Sequence, residues 1–424
     1  MRGEGRGGGE RLLEMRLLPL TLTLSLKGRG GKTLENTKIR KGDGKMTQKA
    51  EILEKEGRVR DFLRSKGLKA LLLKRQANFS WVTCGGLNLV GITTELGATS
   101  LLITEDAKYA ICNNIEAPRM VEEERLEKQG FALKSFPWYE DREIPILKEL
   151  AGDGPVGCDV PFPNTIMVAE EVARLRYSLT AGERERYRWL GEKVSLALEK
   201  TLRETKRGEK ESEVVGRLCR EIWKDRIDPA GLMAAADERM FRFRHPIPSE
   251  KRVEKYLMVS INARKWGLVV CLTRFVHFGK LPASLKEKYE ANVFIDCTLM
   301  AHTRPGVAAR EVLRKGIEAY REKGYPEEWQ LHHQGGSIGY VPRDYRVSFK
   351  TPDLIQEHQG FAWNPSITGT KSEDTILATK KGPKMITHPI LYPTISLTVA
   401  GISFTRPVIL EKKGGANIRK LKAR

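Results

Sequence analysis

Between residues 46 and 180, short apolar runs suited to β-strands alternate with segments of helical periodicity, and this alternation restricts the possible folds most strongly. Val59 and Phe62 lie on one face of the first helical segment, and apolar runs follow at 68–73 and 100–104. Strands that alternate with helices form α/β domains, in which helices cover both faces of a sheet. Residues 46–180 are therefore predicted to form a three-layer α/β domain.

The order of elements changes in residues 181–412. Thr180 and Glu183 have the spacing of a capping box, which predicts that a helix begins there. Runs of apolar, strand-like sequence are found at 256–261, 267–275, 292–297, 376–378 and 395–399. The segment ARKWG predicts a hairpin between the first two of these runs. This second region is therefore predicted to be an α+β domain, with helices packed against a curved antiparallel sheet.

Two terminal segments are expected to lie outside these domains. Residues 1–45 are rich in Gly and Arg, and their one apolar stretch is followed by KGRGGK instead of a small-residue cleavage site. We interpret residues 1–45 as a disordered or spurious extension and place the natural start at Met46. Residues 413–424 are interpreted as a basic tail.

The composition excludes some classes of protein and favours others. Hydrophobic residues make up 40% of the chain, but no run approaches the roughly 18 apolar residues of a membrane-spanning helix. The six cysteines show no CxxC spacing, which predicts reduced thiols in a cytoplasmic protein. The formal charge of +20 is spread among interspersed acids and predicts only weak, nonspecific binding of polyanions.

A set of longer motifs is distinctive enough to compare with known families. The motifs are ANFSWVTCGGLN, LTAGERERYRWLG, VSINARKWGLVVCLTRFVHFG, LHHQGGSIGYVPRDYR and WNPSITGTKSEDTI. Together they resemble the pita-bread fold metallopeptidases, which include Xaa-Pro aminopeptidases, prolidase and creatinase. The resemblance implies a creatinase-like N-terminal domain at 46–180, a pita-bread peptidase-like domain at 181–412, and a homodimer.

The resemblance also identifies where metal ligands would lie. Hydrolases of this family bind a pair of divalent metals through two Asp, one His and two Glu. In this chain the corresponding positions are Ser260, Cys271, Gly336, Asn364 and Glu373. Only the last is acidic, whereas hard divalent cations need several anionic oxygens. No metal ligand set and no cofactor are therefore expected at these positions.

Further side chains are candidates for chemistry. His245, His332 and His333 are interpreted as catalytic, because the first two take the places of family histidines and neutral imidazole can transfer protons near pH 7. Arg343 stands where creatinase, a metal-free relative, has an arginine that helps to bind the substrate carboxylate. The planar guanidinium matches a planar carboxylate. Together with Glu373 and Asn364, Arg343 is interpreted as substrate-binding.

Three functions remain open from the sequence. The first is a metal-independent hydrolase or pseudoenzyme that acts on or binds a small carboxylate-bearing C–N compound or a short peptide. The second is a genuine Xaa-Pro aminopeptidase or dipeptidase that uses Mn, Co or Zn, with carboxylates supplied by Asp296, Asp344 or Asp374. The third is a non-enzymatic module that binds peptides or polyanions.

Overall fold

The computed structural model describes residues 47–413. The interpretations of residues 1–45, of Met46 as the natural start and of residues 414–424 as a tail fall outside these described residues. The described residues belong to a single compact unit. The division of that unit into domains at residue 180 stays a prediction.

The first half of the described chain is built around a six-stranded mixed sheet with the strand order β4-β3-β2-β1-β5-β6. Its strands are β1 (Ala70–Arg75), β2 (Leu96–Thr104), β3 (Lys108–Asn113), β4 (Ala132–Phe136), β5 (Val156–Cys158) and β6 (Ile166–Met167). Its helices are α1 (Gln48–Lys66), α2 (Gln76–Val82), α3 (Ala117–Glu122), α4 (Glu143–Ala151) and α5 (Ala169–Leu175).

Strand β1 shows why this half has three layers. Leu71 packs into the same hydrophobic cluster as Phe62 of α1, whereas Leu72 packs into a second cluster with Leu147 of α4. Successive side chains of a strand point to opposite faces of the sheet. Helices therefore cover both faces, and the predicted three-layer arrangement is confirmed.

The second half contains the remaining helices and strands. The helices are α6 (Ala181–Glu204), α7 (Glu211–Trp223), α8 (Arg239–Arg242), α9 (Ala283–His302) and α10 (Ala309–Glu322). The strands are β7 (Asp228–Ala236), β8 (Tyr256–Lys265), β9 (Leu268–Phe278), β10 (Gly335–Ile338), β11 (Tyr345–Arg346), β12 (Gly360–Trp363), β13 (Asp374–Leu377), β14 (Lys384–Met385), β15 (Thr394–Val399), β16 (Ile402–Pro407) and β17 (Leu410–Lys412). Short 3-10 helices span Glu127–Gln129 and Glu328–Leu331.

The strands of this half form two main hydrogen-bonded groups, ordered β17-β9-β8-β7 and β11-β10-β12-β13-β14, beside the separate β15–β16 pair. The two groups meet where the amide of Thr273 in β9 donates to the carbonyl of Glu373, which precedes β13, at 3.1 Å. Apart from the parallel β9–β17 contact, the pairs within the two groups are antiparallel. The predicted curved antiparallel sheet with helices is confirmed.

Two local predictions are confirmed in detail. Thr180 caps α6 by accepting from the amide of Glu183, whose carboxylate accepts in turn from the amide of Thr180. The β8–β9 hairpin turns at Trp266 and Gly267, both with positive φ (54° and 75°). Such φ values at both turn residues are typical of the tight hairpin turns that match the twist of a sheet.

The predicted strand at 292–297 is wrong, because these residues lie inside α9. The segment contains Val293, Phe294 and Ile295, and an apolar run of this length fits a buried strand as well as a buried helix. Val293 and Ile295 are both buried, so α9 has apolar contacts on more than one side. It therefore lacks the one-sided pattern that marks an amphipathic helix.

The structure also bears on the cysteines and on the search for membrane-spanning helices. All six cysteines fall within the described residues, and none of them forms a disulfide. Between residues 47 and 413, no helix has the length and apolar content that crossing a membrane requires.

Candidate functional site

The candidate site is assembled at the junction of the two strand groups. Ser260 of β8 lies opposite Thr273 of β9, and Thr273 is hydrogen-bonded to the backbone of Glu373. The hydroxyl groups of Ser260 and Thr273 both donate to Oε2 of Glu373, at 3.1 and 2.9 Å. The hairpin therefore presents two neutral hydroxyl groups to the one acidic side chain among the five predicted ligand positions.

The register of β10, β12 and β13 places Asn364 beside this group. Trp363 pairs with Asp374, so the next residues, Asn364 and Glu373, face each other across the strands. The amide of Asn364 donates to the carbonyl of Gln334 at 3.1 Å. Asn364 is 3% exposed, and its side-chain Oδ1 has no hydrogen-bond partner among the described residues. A buried acceptor without a partner is unusual and favours a ligand that brings an N–H or O–H donor.

Glu373 is held by two cations. The ammonium of Lys371 lies 2.8 Å from Oε2 and the guanidinium of Arg343 lies 3.3 Å from Oε1. Burial opposes ionisation of this carboxyl, but Lys371 and then Arg343 outweigh it and lower the pKa of Glu373 to about 2. Glu373 is therefore an ionised carboxylate whose charge is already compensated by side chains of the protein.

Lys371 is a residue of this site that the sequence analysis missed. Its side chain is 3% exposed, and its Nζ also lies 3.4 Å from Oγ of Ser260. A signal was available, since residues two apart in an extended segment point to the same side. Lys371 and Glu373 have this spacing, and a lysine is almost never buried without a partner.

The five predicted ligand positions do not fit a pair of hard divalent cations. Cys271 is fully buried, and burial raises the pKa of its thiol to about 12, so it stays a neutral thiol. Gly336 has no side chain, and its φ of +155° accompanies a close approach of the neighbouring strand, where an added Cβ would lie 2.2 Å from the carbonyl oxygen of Tyr345. Glu373 alone offers anionic oxygens, and Lys371 would repel a cation beside it.

The three other carboxylates that could have restored a metal site have arginine partners of their own. Asp344 pairs with Arg176 at 2.6 Å, and Asp296 pairs with Arg406 at 2.6 Å. Asp374 pairs with the same Arg406 at 2.7 Å and with a second buried arginine at 3.0 Å. Among residues 47–413, no cluster of metal-binding side chains includes Glu373.

The three predicted histidines do come together. Nε2 of His332 lies 3.0 Å from Nε2 of His245, and the ring of His333 lies 4.6 Å from that of His332, centroid to centroid. One nitrogen from each ring falls within 4.8 Å of the others, which makes them the one group in the described part of the chain that could hold a metal ion. His245 is exposed, whereas His332 is 7% exposed.

The electrostatic surroundings keep these imidazoles neutral. Burial, followed by Lys371, lowers the pKa of His332 to about 2. Burial, followed by Arg343 and Arg346, lowers the pKa of His333 to about 3. The pKa of His245 is lowered as well, by burial and then by Lys371. Nearby cations contribute to all three shifts, so the histidine cluster lies in a positive potential that favours anions.

Arg343 completes the site. One of its terminal nitrogens donates to Glu373, and the other donates to the carbonyl of Pro342 at 2.9 Å and lies 3.9 Å from Sγ of Cys271. Its Nε is buried without a hydrogen-bond partner among the described residues. The guanidinium therefore has hydrogen-bond donor capacity left. The adjacent Asp344 pairs with Arg176 instead.

A cavity of about 550 Å³ lies next to this site, between the β8–β9 turn and the first half of the chain. Its lining includes Trp266, Tyr340 and Pro342, the residue before Arg343. The three histidines do not line it. The cavity is therefore a neighbour of the candidate site and not the site itself.

The chain was compared with known families and relatives. The model of metallopeptidase family M24 matches residues 185–380. A Xaa-Pro dipeptidase of Pyrococcus horikoshii is 27% identical over 151 residues, which cover 34% of this chain and 43% of that protein. The chain therefore spans less than half the length of the curated relatives it matches.

Solved structures match over a longer stretch. The Xaa-Pro dipeptidase from Bacillus anthracis has a TM-score of 0.68 at 19% identity and covers 85% of this chain and 100% of its own. The prolidase from Pyrococcus horikoshii OT3 has a TM-score of 0.68 at 20% identity and covers 80% of this chain and 99% of its own. At such identities the likeness establishes the fold, and the chemistry has to be argued from the residues of the site. Residues 185–380 therefore form a domain of metallopeptidase family M24, and the chain has the pita-bread fold of the family's Xaa-Pro dipeptidases and prolidases.

Proposed function

We propose that this chain is a metal-independent member of the Xaa-Pro peptidase family that binds a small carboxylate-bearing C–N compound or a short peptide. The observation that carries the proposal is the compensation of Glu373 by Lys371 and Arg343. In this proposal the lysine ammonium supplies the positive charge that a metal pair would bring. The remaining positive potential is available to the carboxylate of the ligand.

The side chains around Glu373 suit such a ligand. Arg343 has a buried Nε without a partner, and the guanidinium can bind a carboxylate through two parallel hydrogen bonds. Oδ1 of Asn364 is a buried acceptor that a nitrogen-bound hydrogen of the ligand would satisfy. The neutral imidazoles of the histidine cluster can donate N–H hydrogen bonds to the carboxylate of such a ligand.

The proposal is tested by metal analysis of the protein purified from cells grown with added Mn, Co and Zn. We expect substoichiometric amounts of all three after dialysis, because the donor set at the five positions holds one compensated carboxylate. Inductively coupled plasma mass spectrometry measures the content. A retained pair of ions per chain would contradict the proposal and restore a metal-dependent peptidase.

The role of Arg343 is tested by the affinity for N-acetylglycine, a small compound with a carboxylate and an amide. We expect Arg343→Met to weaken binding by about 10- to 100-fold, since a hydrogen bond to a charged group contributes about 1.5–3 kcal/mol. Isothermal titration calorimetry gives the affinity. Arg310→Met, at an arginine whose side chain is 42% exposed, is the matched control and should bind as the wild type does. Equal affinities of the two variants would remove Arg343 from the binding site.

A further inference from the structure

The proton positions of the histidine cluster can be derived from a chain of hydrogen bonds that begins at Arg244. Its guanidinium is fixed by Glu328 at 2.6 Å and by Oγ1 of Thr368 at 2.9 Å, and its other terminal nitrogen lies 3.2 Å from Oγ of Ser366. An arginine side chain can only donate hydrogen bonds. The hydroxyl oxygen of Ser366 therefore accepts from Arg244.

The direction of the hydrogen bond at Ser366 determines which nitrogen of His332 is protonated. The serine is 3% exposed, and its Oγ lies 3.3 Å from Nδ1 of His332. Within the described residues no other acceptor lies within hydrogen-bond distance of this hydroxyl, so its hydrogen is best used by donation to Nδ1. A neutral imidazole has one N–H, and in His332 that hydrogen is then on Nε2.

His332 in turn determines the state of His245. The two Nε2 atoms are 3.0 Å apart, so the Nε2–H of His332 donates to Nε2 of His245. The hydrogen of neutral His245 is then on Nδ1. His333 is fixed separately, because the amide of Gly335 donates to its Nδ1 at 3.2 Å and leaves the hydrogen on Nε2.

We infer that the Arg244–Ser366–His332 chain of hydrogen bonds fixes which imidazole nitrogens are protonated and so makes the cluster an oxyanion-binding site. In this site His245 and His333 offer N–H donors to a carboxylate. The inference rests on the proposed function and specifies how the ligand is held. All three imidazole lone pairs are used within the protein, so none is available to bind a metal ion or to accept a proton from a substrate. Ser366 is a positioning residue, because it acts on the ligand through His332.

The tautomers are tested directly by long-range ¹H–¹⁵N correlation NMR of protein labelled at histidine. At pH 7 we expect Nε2 of His332 and His333 to be protonated, and Nδ1 of His245 to be protonated. Single His→Gln variants assign the signals. A protonated Nδ1 in His332, or a protonated Nε2 in His245, would overturn the inference.

The effect on a ligand is tested by titration with acetate, observed through the same nitrogen signals. Ser366→Ala removes the donor to His332, and we expect it to weaken acetate binding by about tenfold and to convert part of the population to the other tautomer. Ser337→Ala is the matched control, since it removes an equally buried hydroxyl whose partner is Gln359. It should leave both the tautomers and the acetate affinity unchanged.

The outcomes separate this inference from the proposed function. Acetate binding that is equal in the wild type and in Ser366→Ala would refute the role of Ser366 and leave carboxylate binding intact. Failure of the wild type to bind acetate would refute the inference, and failure to bind N-acetylglycine as well would refute the proposed function. Binding of one equivalent of Zn²⁺ that shifts the nitrogen signals of all three histidines would overturn the inference, because it requires their lone pairs.

Discussion

Replacing Lys371 by Met is expected to lower the free energy of unfolding by about 3–5 kcal/mol, because it removes the closest partner of a buried carboxylate. Methionine keeps the length and apolar contacts of the lysine side chain, so most of the effect comes from the charge. Arg343 and the hydroxyl groups of Ser260 and Thr273 still contact Glu373. They place the expected loss toward the lower end of this range.

The double variant Lys371→Met/Glu373→Gln separates the charge from other effects. Because both substitutions break the same ion pair, we expect the double variant to lose less stability than the sum of the losses of the two single variants. Urea unfolding of the wild type, both single variants and the double variant gives the coupling energy of the pair. Lys315→Met is the matched control, since its partner Glu318 is exposed and such pairs contribute about 0–1 kcal/mol. If Lys371→Met lowered the free energy of unfolding as little as Lys315→Met does, Lys371 would not stabilise the ionised form of Glu373.

The result bears on the proposed function, in which the same ion pair keeps Glu373 from serving as a metal ligand. A carboxylate that binds a cation must be accessible to it, whereas Glu373 is 2% exposed and has contacts from four side chains. In this proposal a metal ion could bind Glu373 only by replacing the contact with Lys371, which stabilises the folded state. Proteins with several carboxylates at one point face the opposite problem, since they need a cation to hold the charges together.

The sequence predicted those parts of the fold that depend on local patterns. The Thr180 cap and the hairpin at ARKWG rest on residues close together in the chain, and both are confirmed. Helix α9 was predicted as a strand because its character depends on what packs against it. Burial on several sides removes the periodicity from which a helix is recognised, and tertiary contacts then decide.

The same distinction applies to the site. The histidines and Arg343 were found because they stand within motifs, and the structure brings the three histidines together near Arg343. Ser366 was missed because its importance arises from Arg244 and His332, which are far from it in the sequence. Lys371 was missed although its main partner, Glu373, is only two residues away. A spacing rule could have drawn attention to Lys371, but no sequence pattern shows which serine receives an arginine hydrogen bond.

The stability of the protein is expected to fall steeply as the pH is lowered from 6.5 to 4.5, with His332 as a main cause. Its pKa is lowered from 6.5 to about 2 by burial and then by Lys371, so the folded state leaves it neutral while the unfolded state takes up a proton. The contribution to stability is therefore fully present above pH 6.5 and is lost as the pH falls toward 2. Each such histidine changes the free energy of unfolding by about 1.4 kcal/mol per pH unit in this range.

Other titratable groups also change the stability between pH 6.5 and 4.5. The informative quantity is therefore the difference between the pH profiles of the wild type and of a variant. His333, with a pKa lowered to about 3, acts in the same direction as His332. Burial raises the pKa of Asp296 to about 7 and that of Asp344 to about 6, and such groups stabilise the folded state as the pH falls. These contributions are common to the wild type and to His332→Gln, and they cancel when the two pH profiles are subtracted.

We therefore expect His332→Gln to lose stability with falling pH less steeply than the wild type, by about 1.4 kcal/mol per pH unit between pH 5.5 and 4.5. Urea unfolding at constant ionic strength measures the two profiles. His388→Gln, at an exposed histidine outside the cluster, should keep the slope of the wild type. Parallel profiles for His332→Gln and the wild type would mean that His332 already carries a proton when folded. In that case it could not accept a hydrogen bond from Ser366, and the donor arrangement of the cluster would have to be reversed.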